Sequence, residues 1–189
     1  MHLHEILDAE LSPFGNRPLL IIETGTIRNA TEDGRIGDGW STVWFAERAC
    51  RAGQSVGSIV SIDLDTSVAR HVLTQRRLLE QVTLVELHSI AALARIATQR
   101  GALSTDVFLL DSDNDPQLIL HEFLIARELV KPGGLILIDD VAFPDRPPTG
   151  ARKGELVLPY IKDTLKLKHR LNERTGWNGY TTAVLAVDC

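Results

Sequence analysis

The sequence has few of the features that mark secreted, membrane-spanning or nucleic-acid-binding proteins. Only two of its 189 residues are cysteines, Cys50 and Cys189, which is too few for a disulfide framework and is typical of a reducing compartment. Apolar runs stay far below the roughly 20 residues that a spanning helix needs, and no signal peptide is recognisable. The formal net charge is −5, so attraction to a nucleic-acid backbone is not expected to drive function. We therefore expect a cytoplasmic protein with neither a membrane nor a nucleic acid as partner.

What the sequence does contain is a regular alternation of apolar strands and amphipathic helices. Five short runs are apolar on both faces, as buried parallel strands are: residues 19–22, 59–62, 82–85, 107–110 and 135–138. Helices are predicted between them, beginning at Ser41, at Asp65 or Thr66, at Ser89 and at Asp115. The tail adds a strand over residues 180–187, with residues 165–171 as its hairpin partner. This pattern predicts one α/β domain with helices on both faces of a parallel sheet.

Acidic residues follow these strands unusually often. They cluster at the strand ends, where ligands bind in an open parallel sheet: Glu23, Asp63, Asp65, Asp111, Asp113, Asp115, Asp139 and Asp140. Helix capping explains Asp65 and Asp115. It does not easily explain Asp111, Asp139 and Asp140 together.

The first turn argues against a dinucleotide cofactor. The pattern G-x-G-x-x-G is missing, and Gly25 stands alone beside Glu23. A carboxylate there would repel a pyrophosphate but would suit a cationic ligand such as S-adenosylmethionine. Asp63, at the end of the second strand, is placed to accept hydrogen bonds from ribose hydroxyls.

The strand ends 22–26, 61–65 and 109–113, with the Lys-Pro-Gly-Gly turn at 131–134, resemble those of class I S-adenosylmethionine-dependent methyltransferases. Within that class the sequence is most similar to small-molecule O-methyltransferases of the catechol and caffeoyl-CoA type and to related tailoring enzymes. The resemblance covers roughly residues 19–141. It implies a Rossmann-like seven-stranded sheet in the order 3-2-1-4-5-7-6, with the last strand antiparallel.

The same resemblance implies roles for individual residues. Glu23 and Gly25 would line the methionine part of the cofactor, Asp63 would hold the ribose, and Ser89 would lie near the adenine. Ser41 would start the helix that contacts the methionine carboxylate. Asp111 would serve both the cofactor and a metal. The metal ligands would be Asp111, Asp139 and Asp140, a set of oxygen donors that suits Mg²⁺ and also Mn²⁺ or Ca²⁺.

The sequence departs from these relatives in several places. Asn114 stands where they carry a lysine general base, which leaves His88, Asp113 and Asp145 as candidate bases. Residues 27–40 form an inserted, glycine-containing loop, which we expect to be mobile and to order over the cofactor. The N-terminal segment, residues 1–18, is short, so the acceptor site is either open or completed by a second subunit of a homodimer. Residues 143–158 form a second loop at the rim.

The leading hypothesis is metal-assisted O-methylation of a small-molecule hydroxyl within a single domain spanning residues 1–189. The metal would bind the acceptor hydroxyl and lower its pKa. Two alternatives stay open: a metal-independent methyltransferase, and a non-catalytic module for cofactor binding or oligomerisation. The acceptor itself is not specified, since sugar, phenol and antibiotic hydroxyls all fit.

Overall fold

The computed structural model describes residues 3–31, 33, 40–53, 57–142, 153–157, 159, 168–171 and 180–186. Its helices are Leu3–Leu11 (α1), Ser41–Arg51 (α2), Ser67–Gln75 (α3), Ser89–Arg100 (α4) and Pro116–Leu129 (α5). Short 3-10 helices span Ser12–Phe14 and Leu79–Gln81. The strands are Ile21–Thr24 (β1), Ile59–Asp63 (β2), Val82–Glu86 (β3), Thr105–Leu110 (β4), Val130–Ala142 (β5), Lys168–Leu171 (β6) and Tyr180–Ala186 (β7).

The strands form one sheet in the order β3-β2-β1-β4-β5-β7-β6. Strand β1 lies between β2 and β4 and is parallel to both, and β3 and β5 continue the parallel arrangement on either side. These five parallel strands in the order 3-2-1-4-5 confirm the predicted α/β, Rossmann-like class. Beyond β5 the backbone of β7 runs antiparallel to β5, and β6 runs antiparallel to β7.

The two faces of the sheet carry separate apolar clusters, because successive side chains of a strand point to opposite faces. Ile21 packs in a cluster with residues of α1, α2 and α3, whereas Ile22 packs in a second cluster with residues of α4 and α5. The N-terminal segment belongs to the first cluster, since the apolar side chains of α1 are buried there. The Nη2 of Arg48 in α2 also donates to the Gly15 carbonyl at 2.6 Å. None of the helices in the described ranges is long and apolar enough to cross a membrane.

Two helices begin where predicted but are capped by different groups. Helix α2 starts at Ser41, and its N-cap is Trp40, whose φ of 47° lies in the left-handed region. Helix α4 starts at Ser89, and its N-cap is His88, whose Nδ1 accepts the N–H of Ile90 at 3.3 Å. Both serine hydroxyls are thereby left for other contacts. The start of α5 follows the prediction, with Asp115 accepting the N–H of Gln117 at 2.9 Å.

The fifth strand begins earlier than the sequence predicts. The Lys-Pro-Gly-Gly turn was expected to separate α5 from a strand starting at Leu135, but β5 begins at Val130 directly after the helix. The pairing with β4 shifts register between Thr105 and Val107, which accommodates the proline and the glycines. A Cβ on Gly134 would lie 2.7 Å from the Asp106 carbonyl oxygen, so the backbones approach too closely for another residue.

Candidate functional site

The turn after β1 packs directly on the start of the loop after β4. The N–H of Gly25 donates to the Ile62 carbonyl at 2.8 Å, and the N–H of Asp111 donates to the Thr24 carbonyl at 2.9 Å. Gly25 has a φ of 89°, and a Cβ there would lie 2.7 Å from the Asp111 carbonyl carbon and closer still to its oxygen. Only glycine fits, because the conformation and the contact both exclude a side chain.

Glu23 lies at the floor of this turn as a fully buried carboxyl group. The Ser41 hydroxyl donates to its Oε2 at 2.8 Å, while Oε1 has no hydrogen-bond partner among the described residues. Burial raises the pKa of Glu23 to about 7, against the opposing effect of the hydroxyls of Thr42, Ser61 and Ser41. The site therefore holds a buried carboxyl oxygen that can accept a hydrogen bond from a further donor.

Asp63 ties the end of β2 to the turn after β1. Its Oδ2 accepts the N–H of Thr26 at 2.9 Å, and its Oδ1 accepts the N–H of Leu64 at 2.7 Å. Its Oδ1 also accepts the N–H of Asp65 at 3.4 Å. Because a carboxylate can accept about four hydrogen bonds, capacity for one ligand hydroxyl remains. The neighbouring Leu64 is 70% exposed and, with Leu103, is one of two exposed large apolar side chains in the described part of the chain. Asp63 and Leu64 thus place a polar acceptor and an apolar surface side by side.

Glu122 is a buried carboxyl group that the sequence analysis did not identify as part of the site. It accepts the hydroxyl of Thr24 at 2.7 Å through Oε2 and that of Ser112 at 2.8 Å through Oε1. Burial raises its pKa, and the hydroxyls of Ser89, Thr24 and Ser112 oppose the rise. Glu122 therefore joins the ends of β1 and β4 to the start of α4. In the sequence, the sign of its burial is that Glu122 lies on the apolar face of the predicted helix α5, between Ile119 and Phe123.

The candidate general bases differ in their surroundings. His88 caps α4 with its Nδ1, which already accepts the N–H of Ile90. Asp113 and Asn114 are exposed, and Asp113 accepts the N–H of Asn114 at 2.5 Å. Asp145 lies outside the described residues.

The carboxylate of Asp111 forms an ion pair with Lys153. The Lys153 side chain is 4% exposed and that of Asp111 18% exposed. Lys153 begins a short described stretch, residues 153–157, that ends at Val157 in the apolar cluster of the second sheet face. The sequence carries little signal for this contact, since a single lysine after a proline-rich stretch usually lies in solvent.

The predicted metal ligands are brought together only in part. Asp139 is half-buried in β5. Asp140 follows it in the same strand, and its side chain lies outside the described part. Among the side chains that the structure describes, no group of three or more His, Cys, Asp or Glu residues is arranged to hold a metal ion.

The inserted loop is described at both ends. The indole of Trp40 is buried, donates through Nε1 to the Asn29 carbonyl at 2.9 Å, and packs under the Arg76 guanidinium, 5.0 Å from the ring centroid. These contacts join the two ends of the loop and hold Trp40 against the residue that follows α3. The expected ordering of residues 27–40 over the cofactor stays a prediction.

Comparison with known proteins identifies one family and a shared fold. Residues 35–141, more than half of the chain, match a family described as a methyltransferase domain. None of the curated proteins matches the sequence.

Three solved structures illustrate the fold. The O-methyltransferase TomG from Streptomyces achromogenes, involved in tomaymycin synthesis and in complex with S-adenosylmethionine, is 20% identical; the alignment covers 99% of this chain and 78% of TomG, with a TM-score of 0.67. An O-methyltransferase from Bacillus cereus, in complex with S-adenosylhomocysteine, is 21% identical over 99% of this chain and 79% of its own, with a TM-score of 0.69. The MycE methyltransferase of the mycinamycin biosynthetic pathway, in complex with Mg, S-adenosylhomocysteine and mycinamycin VI, is 15% identical over 97% of this chain and 48% of its own, with a TM-score of 0.65. At these identities the likeness is one of fold.

Proposed function

The chain belongs to the methyltransferase domain family, and we propose that it transfers the methyl group of S-adenosylmethionine to a hydroxyl of a small-molecule acceptor. The observation that carries the proposal is the arrangement of Glu23, Gly25 and Asp63 around one turn at the carboxyl end of the sheet. Ligands of open parallel sheets bind at this end.

The residues of this turn fit the cofactor. The unpartnered Oε1 of Glu23 supplies acceptor capacity for the amino group of the methionine part. Asp63 would accept a ribose hydroxyl, and the exposed Leu64 would lie against the flat, apolar face of the adenine. When bound, the cofactor supplies a methyl group on a positively charged sulfur. The carboxylates of Glu23 and Asp63 favour such a cation and disfavour a pyrophosphate.

The proposal of a small hydroxyl acceptor draws support from the relatives. TomG and the Bacillus cereus protein are O-methyltransferases, and MycE is bound to mycinamycin VI. The net charge of −5 favours a neutral or cationic acceptor over an anionic polymer such as nucleic acid. A cytoplasmic location and a homodimer stay predictions from the sequence.

The sequence favours a metal-assisted methyl transfer, with Mg²⁺ bound by Asp111, Asp139 and Asp140. The Mg in the MycE complex supports it. The residues present do not fit the ion, however, because the Lys153 ammonium already pairs with the first of these ligands. A cation held there by the chain would repel a divalent ion on the same carboxylate. We therefore propose the metal-independent form of the reaction.

Calorimetric titration of the full chain with S-adenosylhomocysteine tests the cofactor assignment. We expect micromolar-range binding, and we expect Asp63→Ala to weaken it by about 1–3 kcal/mol because a ligand hydroxyl loses its acceptor. Asp8→Ala is the matched control, since Asp8 is an exposed acid on α1. NADH serves as the competing ligand. Tighter binding of NADH than of S-adenosylhomocysteine, or an equal loss in both variants, would contradict the proposal.

A further inference from the structure

We propose that the ε-ammonium of Lys153 is the resident cation of the acceptor site and takes the position at Asp111 where a divalent metal would bind. The inference rests on the proposed function, since it concerns the same site and the same reaction. Lys153 would thereby take the role that the sequence predicts for Mg²⁺, which is to neutralise the acidic rim beside the methyl donor.

The first support is the burial of the pair. A lysine is almost never fully buried unless it is paired, because an isolated ammonium loses its hydration in the interior. The Lys153 side chain is 4% exposed, and its ammonium lies against a carboxylate that is 18% exposed. Removing one partner of such a pair leaves the other as a buried, uncompensated charge.

The second support is the location of Asp111 beside the proposed cofactor turn. Its backbone closes over Gly25, where no Cβ could be placed, and its negative charge is close enough to add to the rise in the pKa of Glu23. The ammonium of Lys153 is therefore held next to the region where the methyl group would be transferred. Position and charge together are what a metal at Asp111 would provide.

The third support is the way the chain anchors the ammonium. The described residues after Lys153 pack on the protein, with Val157 fully buried among side chains of the second sheet face. Packing at Val157 limits how far Lys153 can retreat from Asp111. The cation is thus part of the folded chain and its occupancy does not depend on an ion concentration.

This placement has a consequence for the reaction. The hydroxyl proton would pass to solvent water, so that negative charge develops on the acceptor oxygen. That oxygen would then form its bond to the methyl carbon while the bond from carbon to sulfur breaks, and the negative charge on oxygen and the positive charge on sulfur would cancel. A fixed ammonium near that oxygen stabilises the developing charge without reorganisation, which is the electrostatic part of what a metal ion supplies.

The test measures divalent-ion binding by electron paramagnetic resonance of Mn²⁺, together with thermal unfolding in EDTA and in millimolar Mg²⁺. We expect the wild-type chain to bind no stoichiometric Mn²⁺ and to melt at the same temperature in both solutions. Lys153→Met removes the charge and keeps much of the volume. This variant should bind one Mn²⁺ per chain and gain roughly 3 °C in melting temperature with Mg²⁺, because an ion that binds only the folded state stabilises it.

Further variants locate the bound ion and keep the test decisive if Lys153→Met does not fold. Lys153→Arg keeps the cation and should behave as the wild type. Adding Asp111→Asn to Lys153→Met should abolish the gained Mn²⁺ signal. Stoichiometric Mn²⁺ on the wild type that is lost in Asp111→Asn overturns the inference, as does a folded Lys153→Met that gains no ion. If Lys153→Met does not fold, the wild type and Lys153→Arg decide by the same Mn²⁺ titration. Loss of S-adenosylhomocysteine binding by the wild type would instead defeat the proposed function and leave the result on the cation intact.

Discussion

At the residue scale, Glu23 combines an ionisable group with complete burial, and its protonation is linked to folding. Its pKa rises from 4.5 to about 7 on folding because burial disfavours the charged form. The folded protein therefore binds this proton more tightly than the unfolded chain does. Its contribution to stability is complete below pH 4.5 and is lost as the pH rises to about 7.

We expect this linkage to appear as a pH-dependent free energy of unfolding. Between pH 4.5 and 7 the wild type should lose about 3 kcal/mol that Glu23→Gln does not lose, since glutamine cannot ionise. Urea unfolding of both proteins across this range measures the difference. Asp8→Asn, which removes an exposed carboxyl group, should keep the wild-type pH profile. Parallel profiles for Glu23→Gln and the wild type would show that Glu23 does not titrate as described.

At the scale of the elements, the turn after β1 depends on one glycine for two reasons that can be separated. Gly25 has a φ of 89° and leaves no space for a Cβ against Asp111. Gly53 has a φ of 62°, and no heavy atom of the described residues lies within 4 Å of its Cβ position. Alanine at Gly53 meets only the conformational cost, about 1–2 kcal/mol. Alanine at Gly25 adds the displacement of the loop after β4.

We therefore expect Gly25→Ala to destabilise the fold by about 1–3 kcal/mol more than Gly53→Ala. It should also reduce binding of S-adenosylhomocysteine, because the displaced loop carries Asp111. Urea unfolding and calorimetric titration of the two variants test both statements. Equal losses of stability with unchanged affinity would mean that the close approach of the two backbones is dispensable.

The helices and strands could be predicted from the sequence where the local residue pattern and the packing of the whole fold favour the same structure. Strands buried on both faces leave uninterrupted apolar runs, and Asp115-Pro116 marks a helix start by its own chemistry. The match to the methyltransferase domain confirms the resemblance drawn from these strand ends. Caps were less predictable, because the hydroxyl of Ser41 has a tertiary partner in Glu23 that no local pattern reveals.

The site was predictable for the residues at the ends of strands and not for those that reach it from elsewhere. Asp63 and Asp111 follow their strands directly, so the topology alone places them together. Glu122 comes from a helix face, and Lys153 comes from a segment 42 residues beyond Asp111. Such long-range contacts depend on how the chain returns to the sheet, which periodicity and composition do not encode.

At the scale of the whole molecule, the acids of the sheet serve different purposes at its two ends. Asp106 lies at the amino end of β4, opposite Asp111, and is 4% exposed. Its carboxylate accepts the N–H of Leu20 at 2.9 Å and pairs with Arg17 and Lys131, each at 3.1 Å. It thus joins the segment after α1, strand β4 and the start of β5. This end of the molecule holds the elements in place, and the other end carries the proposed ligand site.

We expect Asp106→Ala to lower the free energy of unfolding by about 2–4 kcal/mol, because a backbone donor loses its partner and two cations lose their counter-charge. The exposed Arg17 and Lys131 contribute the smaller part, since solvent screens them. The folded fraction should bind S-adenosylhomocysteine with wild-type affinity. Asp63→Ala should show the opposite balance, with weakened binding and a smaller stability loss of about 1–2 kcal/mol, because the N–H groups of Thr26 and Leu64 lose their acceptor. Urea unfolding and calorimetric titration of both variants distinguish the roles of the two ends of the sheet. A loss of affinity in Asp106→Ala comparable to that in Asp63→Ala would show that the two ends do not have separate roles.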